Sequence, residues 1–535
     1  MEVTSSNQEA LRSEGVQIHR GPPSIYQLIP KKERIGTLTR VTVGEKDENK
    51  INKTILLVGE TGAGKSTMVN ALFNYAVGVK FEDEVWFQIV EGSKEGSVEG
   101  EEQKSQTKSQ TSDVIVYQIF GFEGQSLPFS LTIIDTPGFG STRGFEEDIS
   151  VSRRLFDLFR SEDGVHEINA VGLVMKASDN RLNGRLRYIF NSVMSLFGKD
   201  LENNIVALVT HSDGRPPENV LKALEDAKIK SSRDEMNQPV HFIFNNQQIK
   251  QRNRTEKDRQ SSKYSWDFTN EDMGRLRDFL KKTKPQALKT TMEVLNERIR
   301  LEACIQNLQE RIKLAELKQN EIKQTEAEYT KHEEEMKEHQ DFTIEVDEVY
   351  KDRVKFKGGR WGVVFYEGAI TCSVCEENCH YPGCTMAWKP GHCKVMKKGH
   401  CTVCTKKCPA SNHVKENWRY EIKTRKVQKT LAGVKEKYEK NKAECESKSG
   451  LLENLKQETI KLTAKRTSVL DEAYDHVIKL EQIALNVNSG YTFNYMGFLI
   501  EKMKERGDKE KLKILEKLKI RMDKNNEGQT QWQHI

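Results

Sequence analysis

Short apolar runs alternate with amphipathic stretches over residues 51–285. The runs are TILLVG, DVIVYQIF, SLTIID, AVGLVMK, NIVALVTH and VHFIFN. Apolar runs of strand length, separated by stretches of helical length, are typical of buried parallel strands covered by helices. We therefore predict an α/β domain with a mostly parallel sheet over residues 51–285. Residues 1–50 lack this alternation, and we predict a partly disordered N-terminal extension there, which docks on the domain through SIYQLIP.

A second periodicity begins near Gln286, where apolar residues recur every three or four positions with charged residues between them. This spacing predicts coiled-coil helices in two arms, residues 286–345 and 419–470. The seam of the first arm comprises Leu301, Ile305, Leu308, Ile312, Ala315, Ile322 and Tyr329. The seam of the second arm comprises Val427, Leu431, Val434, Tyr438, Cys445, Leu452, Leu455, Leu462 and Val469. The alternative is that each arm packs against a globular body.

The two arms are similar in length and flank a cysteine-rich segment, residues 346–418. We therefore predict an antiparallel α-helical coiled coil that carries this segment as a small module at its tip. Residues 471–535 show a helical pattern and are predicted to form a helical C-terminal region.

The chain of 535 residues is long enough for several domains. Its formal net charge of only +5 gives no strong electrostatic field, so a specific nucleic-acid partner is not expected. No apolar run approaches the roughly 18 residues that span a bilayer, so no transmembrane segment is predicted. The N-terminus shows no secretory pattern, and neither end shows a lipidation motif. We predict a cytoplasmic protein, in which ten cysteines favour metal binding over disulfides.

The segment GETGAGKST follows the apolar run TILLV and fits the phosphate-loop pattern G-x-x-x-x-G-K-[ST]. Its glycines let backbone N–H groups turn toward a phosphate at the start of the following helix. We expect Lys65 to bridge the β- and γ-phosphates and to act in catalysis, and Ser66 to bind Mg²⁺. The nucleotide-binding residues predicted from this loop are Gly59, Glu60, Thr61, Gly62, Ala63, Gly64, Lys65, Ser66 and Thr67.

The run LTIIDTPG places Asp135 at the end of an apolar strand, with Gly138 three residues later. A carboxylate at this position can hold the hydration shell of Mg²⁺, and a glycine N–H can sense the γ-phosphate. We therefore predict Asp135 as a metal and cofactor residue and Gly138 as a catalytic one.

The run IVALVTHSDG ends another apolar strand with Thr210, His211 and Asp213. A carboxylate there can accept both hydrogen-bond donors of the Watson–Crick edge of guanine, a donor pair that adenine does not offer. Asp213 therefore predicts GTP and GDP as the ligands. The next strand, HFIFNN, supplies Asn245 and Asn246 where a loop beside the base is expected.

The order of the segments GETGAGKST, DTPGFG, THSD and FNN resembles the septin-like and immunity-associated (GIMAP-type) GTPases over roughly residues 51–250. The resemblance implies a GTP-binding domain whose switch loops become ordered around the γ-phosphate. It also implies a switch threonine in SQTKSQT, which we assign to Thr107 as a Mg²⁺ ligand and catalytic residue.

Two positions depart from the usual GTPase pattern. The guanine-binding motif commonly carries a lysine where this chain has His211. The residue after DTPG is Phe139, where a glutamine would be able to orient the attacking water. Because no general base or arginine finger stands out, we predict slow intrinsic hydrolysis that a second subunit or another partner accelerates. The expected assembly is a homodimer or oligomer formed through the GTPase domain or the coiled coil.

Eight of the ten cysteines fall between Cys372 and Cys408. Two C-x2-C pairs with further cysteine and histidine residues suffice for two Zn²⁺ sites, and four protein ligands per ion make a structural site. The predicted zinc ligands are Cys372, Cys375, Cys379, His380, Cys384, Cys393, Cys401, Cys404, Cys408 and His413. The spacing leaves open which ligand binds which ion, and buried thiols or a disulfide cluster are the alternatives.

Taken together, the sequence predicts a GTP-binding protein with slow GTP hydrolysis that acts as a nucleotide-dependent switch or assembly protein. Its zinc-tipped arm is expected to bind a protein partner. One alternative is a RING-like ubiquitin ligase regulated by a GTPase domain. The other is a coiled-coil zinc-hook ATPase, which needs a second nucleotide-binding half that residues 471–535 do not resemble.

Overall fold

The structure, a computed structural model, describes residues 2–35, 38–91, 113–140, 145–179, 184–248, 255–331, 343–356, 360–361, 365–366, 368–384, 387, 389–430, 451–487 and 490–526. The chain divides into two compact units. The first unit comprises Met1–Leu295, Glu481–Phe493 and Lys517–Ile535, and the second comprises Asn296–Leu480 and Asn494–Glu516.

The first unit is an α/β domain. Its described helices are α1 (Glu2–Glu14), α2 (Lys65–Val77), α3 (Phe145–Arg160), α4 (Gly184–Met194), α5 (Glu218–Asp226) and α6 (Glu256–Lys282). Its described strands are β1 (Val16–His19), β2 (Ser24–Gln27), β3 (Lys31–Ile35), β4 (Leu38–Val43), β5 (Asn52–Gly59), β6 (Val85–Gln88), β7 (Ile115–Ile119), β8 (Ser130–Asp135), β9 (Glu167–Ile168), β10 (Ala170–Lys176), β11 (Ile205–Thr210), β12 (His241–Ile243) and β13 (Gln286–Ala287).

An eight-stranded sheet forms the centre of the first unit, in the order β12-β11-β10-β5-β8-β7-β4-β3. Strands β5, β8, β10, β11 and β12 are parallel to one another, and β7 runs antiparallel to β8. Every residue of β8 and β11 is buried, as expected for strands covered on both faces. The predicted α/β fold with a mostly parallel sheet is confirmed.

The N-terminal residues form strands, and one of them, Ser24–Gln27, lies in the segment SIYQLIP that was predicted to dock. Strand β4 joins the main sheet by parallel pairing with β7, and β3 extends the sheet at its edge. Strands β1 and β2 form a second, three-stranded sheet with β6. Buried Leu38 and Val41 pack β4 into the domain. The local sequence pattern does not reveal such short strands. Strand β4 is stabilised by its pairing with β7, whose residues lie about 75 positions further along the chain.

The second unit is built around a long helix and a cysteine-rich module. The elements of this part of the chain are α7 (Lys289–Lys331), β14 (Thr343–Lys355), β15 (Arg360–Trp361), β16 (Phe365–Tyr366), β17 (Gly368–Cys372), β18 (Glu377–Cys384), β19 (Met396–Lys397), β20 (His400–Cys401), β21 (His413–Glu416), β22 (Trp418–Thr430), α8 (Leu451–Ile483), α9 (Gly490–Arg506) and α10 (Lys509–Asn526). The division between the units falls within α7, α8, α9 and α10.

Strands β14 and β22 form an antiparallel ribbon that pairs Thr343 with Thr430 and Lys355 with Trp418. Residues 343–345 and 419–430 are therefore strands, although the predicted coiled-coil arms included them. The charges between the apolar residues of this segment are partners across the ribbon. Arg425 donates to Glu348 at 2.8 Å, and cross-strand pairs of this kind stabilise a two-stranded sheet.

The cysteine-rich module contacts the N-terminal half of α7. The Asn307 side chain donates to the carbonyl of Asn378 at 3.3 Å, and Arg300 donates to the carbonyl of Lys394 at 3.1 Å. The ribbon contacts α7 further along, where Glu321 accepts from the backbone N–H of Val349 at 3.2 Å. These contacts differ from the predicted position of the module at the tip of a hairpin.

Apolar residues of the predicted first seam are buried in the second unit. The buried members are Leu301, Ile305, Leu308, Ile312 and Ile322. The cysteine-rich module and the ribbon both contact α7. For this helix, the alternative that the first arm packs against a globular body therefore fits better than a coiled coil. Coiled-coil pairing of the arms stays a prediction. Across the described part of the chain, the helices contain no stretch with the length and apolarity of a bilayer span.

Candidate nucleotide-binding site

The phosphate loop connects the end of β5 to the start of α2. Gly64, the residue before α2, has φ of +93°, a left-handed conformation that glycine adopts without steric cost. The loop therefore turns sharply before the helix, whose first N–H groups have no partner within the helix. This end of a helix attracts phosphate because its free N–H groups and its dipole favour negative charge.

Lys65 lies inside this loop and is only 6% exposed. Its Nζ donates to the carbonyls of Gly59 at 3.2 Å and Glu60 at 2.8 Å. Burial lowers the pKa of Lys65 to about 8, and the carboxylates of Asp135 and Glu60 oppose that shift. A bound phosphate would add negative charge beside this amine and restore its protonated form.

Ser66 and Asp135 meet beside Lys65, where the sequence predicts the magnesium ligands. The Ser66 hydroxyl donates to Oδ2 of Asp135 at 2.8 Å, and Asp135 is fully buried. A hydroxyl and a carboxylate side by side are hard oxygen donors, which Mg²⁺ prefers. These two residues fit a magnesium ion, whereas Thr107, the third predicted ligand, lies outside the described residues.

The DTPG segment lies directly on the phosphate loop. The backbone N–H of Phe139 donates to the carbonyl of Gly59 at 3.0 Å, and the N–H of Thr61 donates to the carbonyl of Phe139 at 3.3 Å. Phe139 is 1% exposed, so its side chain is part of the core. The structure brings Gly138 against the loop as the sequence predicts, but the residue after it offers no polar side chain to a water.

Gly138 has no room for a side chain. A Cβ at this position would lie 2.3 Å from Cα of Thr61 and 2.4 Å from its backbone nitrogen. We expect Gly138→Ala to displace the phosphate loop, to destabilise the first unit by about 1–3 kcal/mol and to weaken nucleotide binding at least roughly tenfold. Chemical denaturation and nucleotide titration measure the two effects.

Gly274→Ala is the matched control for this substitution. Gly274 lies in α6, and the nearest atom to its added Cβ is the Tyr75 hydroxyl at 3.8 Å. Alanine there is expected to leave nucleotide binding unchanged and to stabilise the helix by up to about 1 kcal/mol. Unchanged nucleotide affinity in Gly138→Ala would contradict the close contact of the two segments.

The end of β11 approaches the phosphate loop from the other side. The Thr210 hydroxyl donates to the carbonyl of Ala63 at 2.7 Å. His211 follows with φ of +55°, and its Nδ1 lies 3.1 Å from the Thr210 hydroxyl oxygen. Asp213 is exposed, with 70% of its side chain accessible, and its Oδ1 accepts from the backbone N–H of Arg215 at 3.0 Å. The carboxylate is thus held by a turn and open to a ligand.

The two predicted asparagines have different surroundings. The Asn245 side chain donates to the carbonyl of Ser212 at 3.2 Å and so joins the two loops expected beside the base. Asn246 is buried, and its side-chain nitrogen lies 3.6 Å from the sulfur of Met68 on α2. Asn245 therefore positions the loop, whereas Asn246 contacts the helix that follows the phosphate loop.

The sequence motifs did not identify two basic residues that lie near the phosphate loop, Lys176 and Arg185. Lys176 ends β10, and its Nζ lies 3.8 Å from the position a Cβ would take at Gly62. Arg185 forms an ion pair with Glu60 at 2.9 Å and donates to the carbonyl of Gly140 at 3.0 Å. The only sequence signal for Lys176 was its place at the carboxyl end of a buried strand, where ligands of parallel sheets commonly bind.

A phosphate loop after β5, an aspartate at the end of β8 and a carboxylate after β11 all meet at the carboxyl edge of a parallel sheet. This arrangement defines a P-loop GTPase-like α/β domain.

A match to one protein-family model agrees with that class. Residues 49–149 match the family model described as Septin, which supports the septin-like part of the predicted resemblance. No curated protein sequence matches this chain.

Solved structures with similar folds include Toc33 from Arabidopsis thaliana in complex with GDP and Mg²⁺. It is 16% identical, with 44% of this chain and 88% of that chain covered and a TM-score of 0.30. The bacterial dynamin GTPase LeoA from ETEC is 13% identical, with 54% and 48% covered and a TM-score of 0.23. A structure of an oligomerised bacterial dynamin pair is 13% identical, with 85% and 63% covered and a TM-score of 0.24.

The ten predicted zinc ligands come together in the second unit. They form groups in which all donor atoms lie within 4.8 Å of one another. The groups are Cys372, Cys375, Cys404 and Cys408; Cys379, Cys401, Cys404 and His413; and His380, Cys384 and Cys393. The described cysteines, Cys304 included, form no disulfide.

The donor atoms fit zinc in spacing and in chemistry. The sulfurs of Cys375 and Cys408 are 3.8 Å apart, as are those of Cys384 and Cys393. Two thiolates bound at about 2.3 Å to one tetrahedral ion are separated by about 3.8 Å. The backbone N–H of Cys404 also donates to the sulfur of Cys401 at 3.3 Å, which stabilises a thiolate. Hydrogen bonds from Cys379 and Cys404 lower the pKa of the Cys401 thiol.

Proposed function

We propose that this protein is a GTP-dependent switch or assembly protein with slow intrinsic GTP hydrolysis. The observation that carries the proposal is the exposed carboxylate of Asp213, which a turn holds at the same sheet edge as Lys65. The two oxygens of this carboxylate can accept hydrogen bonds from the two donors on the Watson–Crick edge of guanine. The septin match over residues 49–149 supports the assignment of the domain that contains Lys65.

Each residue of the site has a distinct role in the proposed complex. The N–H groups of the phosphate loop bind the β-phosphate, and Lys65 lies between the β- and γ-phosphates. Ser66 and Asp135 hold Mg²⁺, which neutralises charge on the phosphates. The hydroxyl of Thr210, bound to the carbonyl of Ala63, connects the base-binding turn to the phosphate loop.

Slow hydrolysis follows from the position of Phe139. Its backbone is hydrogen bonded to the phosphate loop and its side chain is buried, so it brings no proton acceptor to an attacking water. Charge stabilisation by a residue from a second protein is a general way to accelerate such a site. We propose that a second copy of the chain, in a dimer or oligomer formed through the GTPase domain or the long helices, supplies it.

The test is a hydrolysis assay with GTP and ATP over a wide range of protein concentrations. We expect GTP to be consumed and ATP to be left intact, with a GTP turnover per chain that rises at least about tenfold from dilute to concentrated protein. Lys65→Ala, which removes the phosphate-binding amine, is the control that assigns the activity to this site. Hydrolysis that is rapid at every concentration, or equal for ATP, would refute the proposal.

The cysteine-rich module is proposed to be a zinc-stabilised structure that binds a protein partner. Its short strands cannot bury a large core, and metal binding supplies the missing folding free energy in such modules. Zinc-bound cysteines suit a reducing compartment, and we therefore propose a cytoplasmic location.

A further inference from the structure

Cys404 belongs to two donor groups at once. One group is Cys372, Cys375, Cys404 and Cys408, and the other is Cys379, Cys401, Cys404 and His413. Within each group every donor atom is within 4.8 Å of every other, so the sulfur of Cys404 is in reach of both centres. The remaining group, His380, Cys384 and Cys393, shares no member with them.

The number of donors decides how Cys404 is used. Two tetrahedral ions need eight coordination positions, and these two groups contain seven different residues. If Cys404 served one ion only, the other centre would keep only three ligands, either Cys372, Cys375 and Cys408 or Cys379, Cys401 and His413. If its sulfur binds both ions, both centres are complete with protein ligands alone.

The backbone places the two centres next to each other. Strands β17 and β21 pair Cys372 directly with His413, and these residues belong to different groups. The turn after Cys404 then returns the chain to the first centre, because the N–H of Cys408 donates to the sulfur of Cys404 at 3.3 Å. The thiolate of Cys404 thus lies between two donor groups, and the pairing of β17 with β21 holds these groups next to each other.

We propose that the thiolate of Cys404 bridges two zinc ions. We also propose that His380, Cys384 and Cys393, which have no fourth His, Cys, Asp or Glu donor among the described residues, bind a third ion separately, with a water at its fourth position. This inference rests on the proposed zinc binding and raises the expected number of ions from two to three. Both ions of the bridged pair lie about 2.3 Å from the shared sulfur, so they are at most about 4.6 Å apart.

The charges around the module agree with a shared thiolate. The six thiolates of the bridged pair exceed the charge of two divalent ions by two negative charges, with His413 neutral. Arg311 of α7 interacts electrostatically with Glu377 and Glu472 and, more weakly, with Cys375 and Cys404. A guanidinium at this place offsets part of the excess negative charge.

The direct test is ¹¹³Cd NMR of the full chain after replacement of its zinc by ¹¹³Cd²⁺. We expect three resonances per chain, two of which split each other by scalar coupling through the shared sulfur, while the third is uncoupled. Resonances without mutual coupling would overturn the bridge. A purified chain that contains no zinc and takes up no cadmium would instead refute the zinc module itself.

Substitutions test the same arrangement through metal content. Cys404→Ser is expected to lose two of three ions, and Cys384→Ser to lose one. Cys304→Ser, a buried cysteine of α7 outside the donor groups, is expected to retain all three. Loss of a single ion from Cys404→Ser would show that this thiolate serves one centre only. The NMR experiment on the unaltered chain decides the matter if a variant does not fold.

Discussion

Replacement of Asp213 by asparagine is expected to exchange GTP for xanthosine triphosphate as the preferred nucleotide. The carboxylate accepts from two donors on guanine, whereas an amide presents one acceptor and one donor. Xanthine carries a carbonyl in place of the exocyclic amine of guanine, so the amide complements it. Since a hydrogen bond to a charged group contributes about 1.5–3 kcal/mol, loss of one such bond should lower the GTP affinity by roughly 10- to 150-fold. Calorimetric titration with GTP, xanthosine triphosphate and ATP measures the exchange.

Asp234→Asn provides the control for this experiment. Asp234 is an aspartate of the same unit whose Oδ1 accepts from the backbone N–H of Met236 at 3.0 Å, as Asp213 does from Arg215. It shares the turn geometry but lies outside the predicted site, so its substitution should leave GTP affinity unchanged. If the GTP affinity of the Asp213→Asn variant is within a few-fold of that of the unaltered chain, Asp213 does not select the guanine base.

Removal of zinc is expected to unfold the cysteine-rich module and to leave nucleotide binding in place. The module consists of short strands, and each structural zinc ion contributes about 10–16 kcal/mol to the folding of small metal-stabilised domains. The nucleotide site belongs to the other unit, built on a large buried sheet. Limited proteolysis with and without a strong chelator, combined with a GTP titration, separates the two effects.

The control for chelation is re-addition of zinc, which should restore protease resistance over residues 368–416. A chain that has lost its metal and yet keeps the same cleavage pattern would contradict a structural role for the ions. Loss of GTP affinity together with the metal would contradict the independence of the two sites.

The nucleotide site was predictable because its chemistry is encoded in short segments. Asp135 ends an apolar strand, Lys65 and Asp213 follow apolar strands, and the carboxyl ends of parallel strands meet at one edge of the sheet. Their distance in the sequence is therefore no obstacle to predicting that they come together. The clustering of the ten cysteine and histidine residues was predictable for a similar reason, since C-x2-C spacing is a local signal.

The remaining features depend on contacts that no local pattern contains. Strand β22 carries charged residues at intervals that also suit a helix, and only its pairing with β14 decides for a strand. Arg185 and Glu60 are 125 positions apart in the sequence, and their ion pair follows from the fold. The double membership of Cys404 likewise depends on the register of β17 and β21 and cannot be read from spacing.

A bound phosphate would compete with the carbonyl of Phe139 for the backbone N–H of Thr61. The N–H of Thr61 donates to the carbonyl of Phe139, 3.3 Å away. An amide hydrogen serves one strong acceptor at a time, so a phosphate oxygen that takes this donor releases the carbonyl. The exchange costs little, because a net hydrogen bond is worth about 1 kcal/mol. A phosphate that takes the Thr61 donor is thus expected to leave Phe139 attached to the loop by one backbone hydrogen bond, from its N–H to the carbonyl of Gly59.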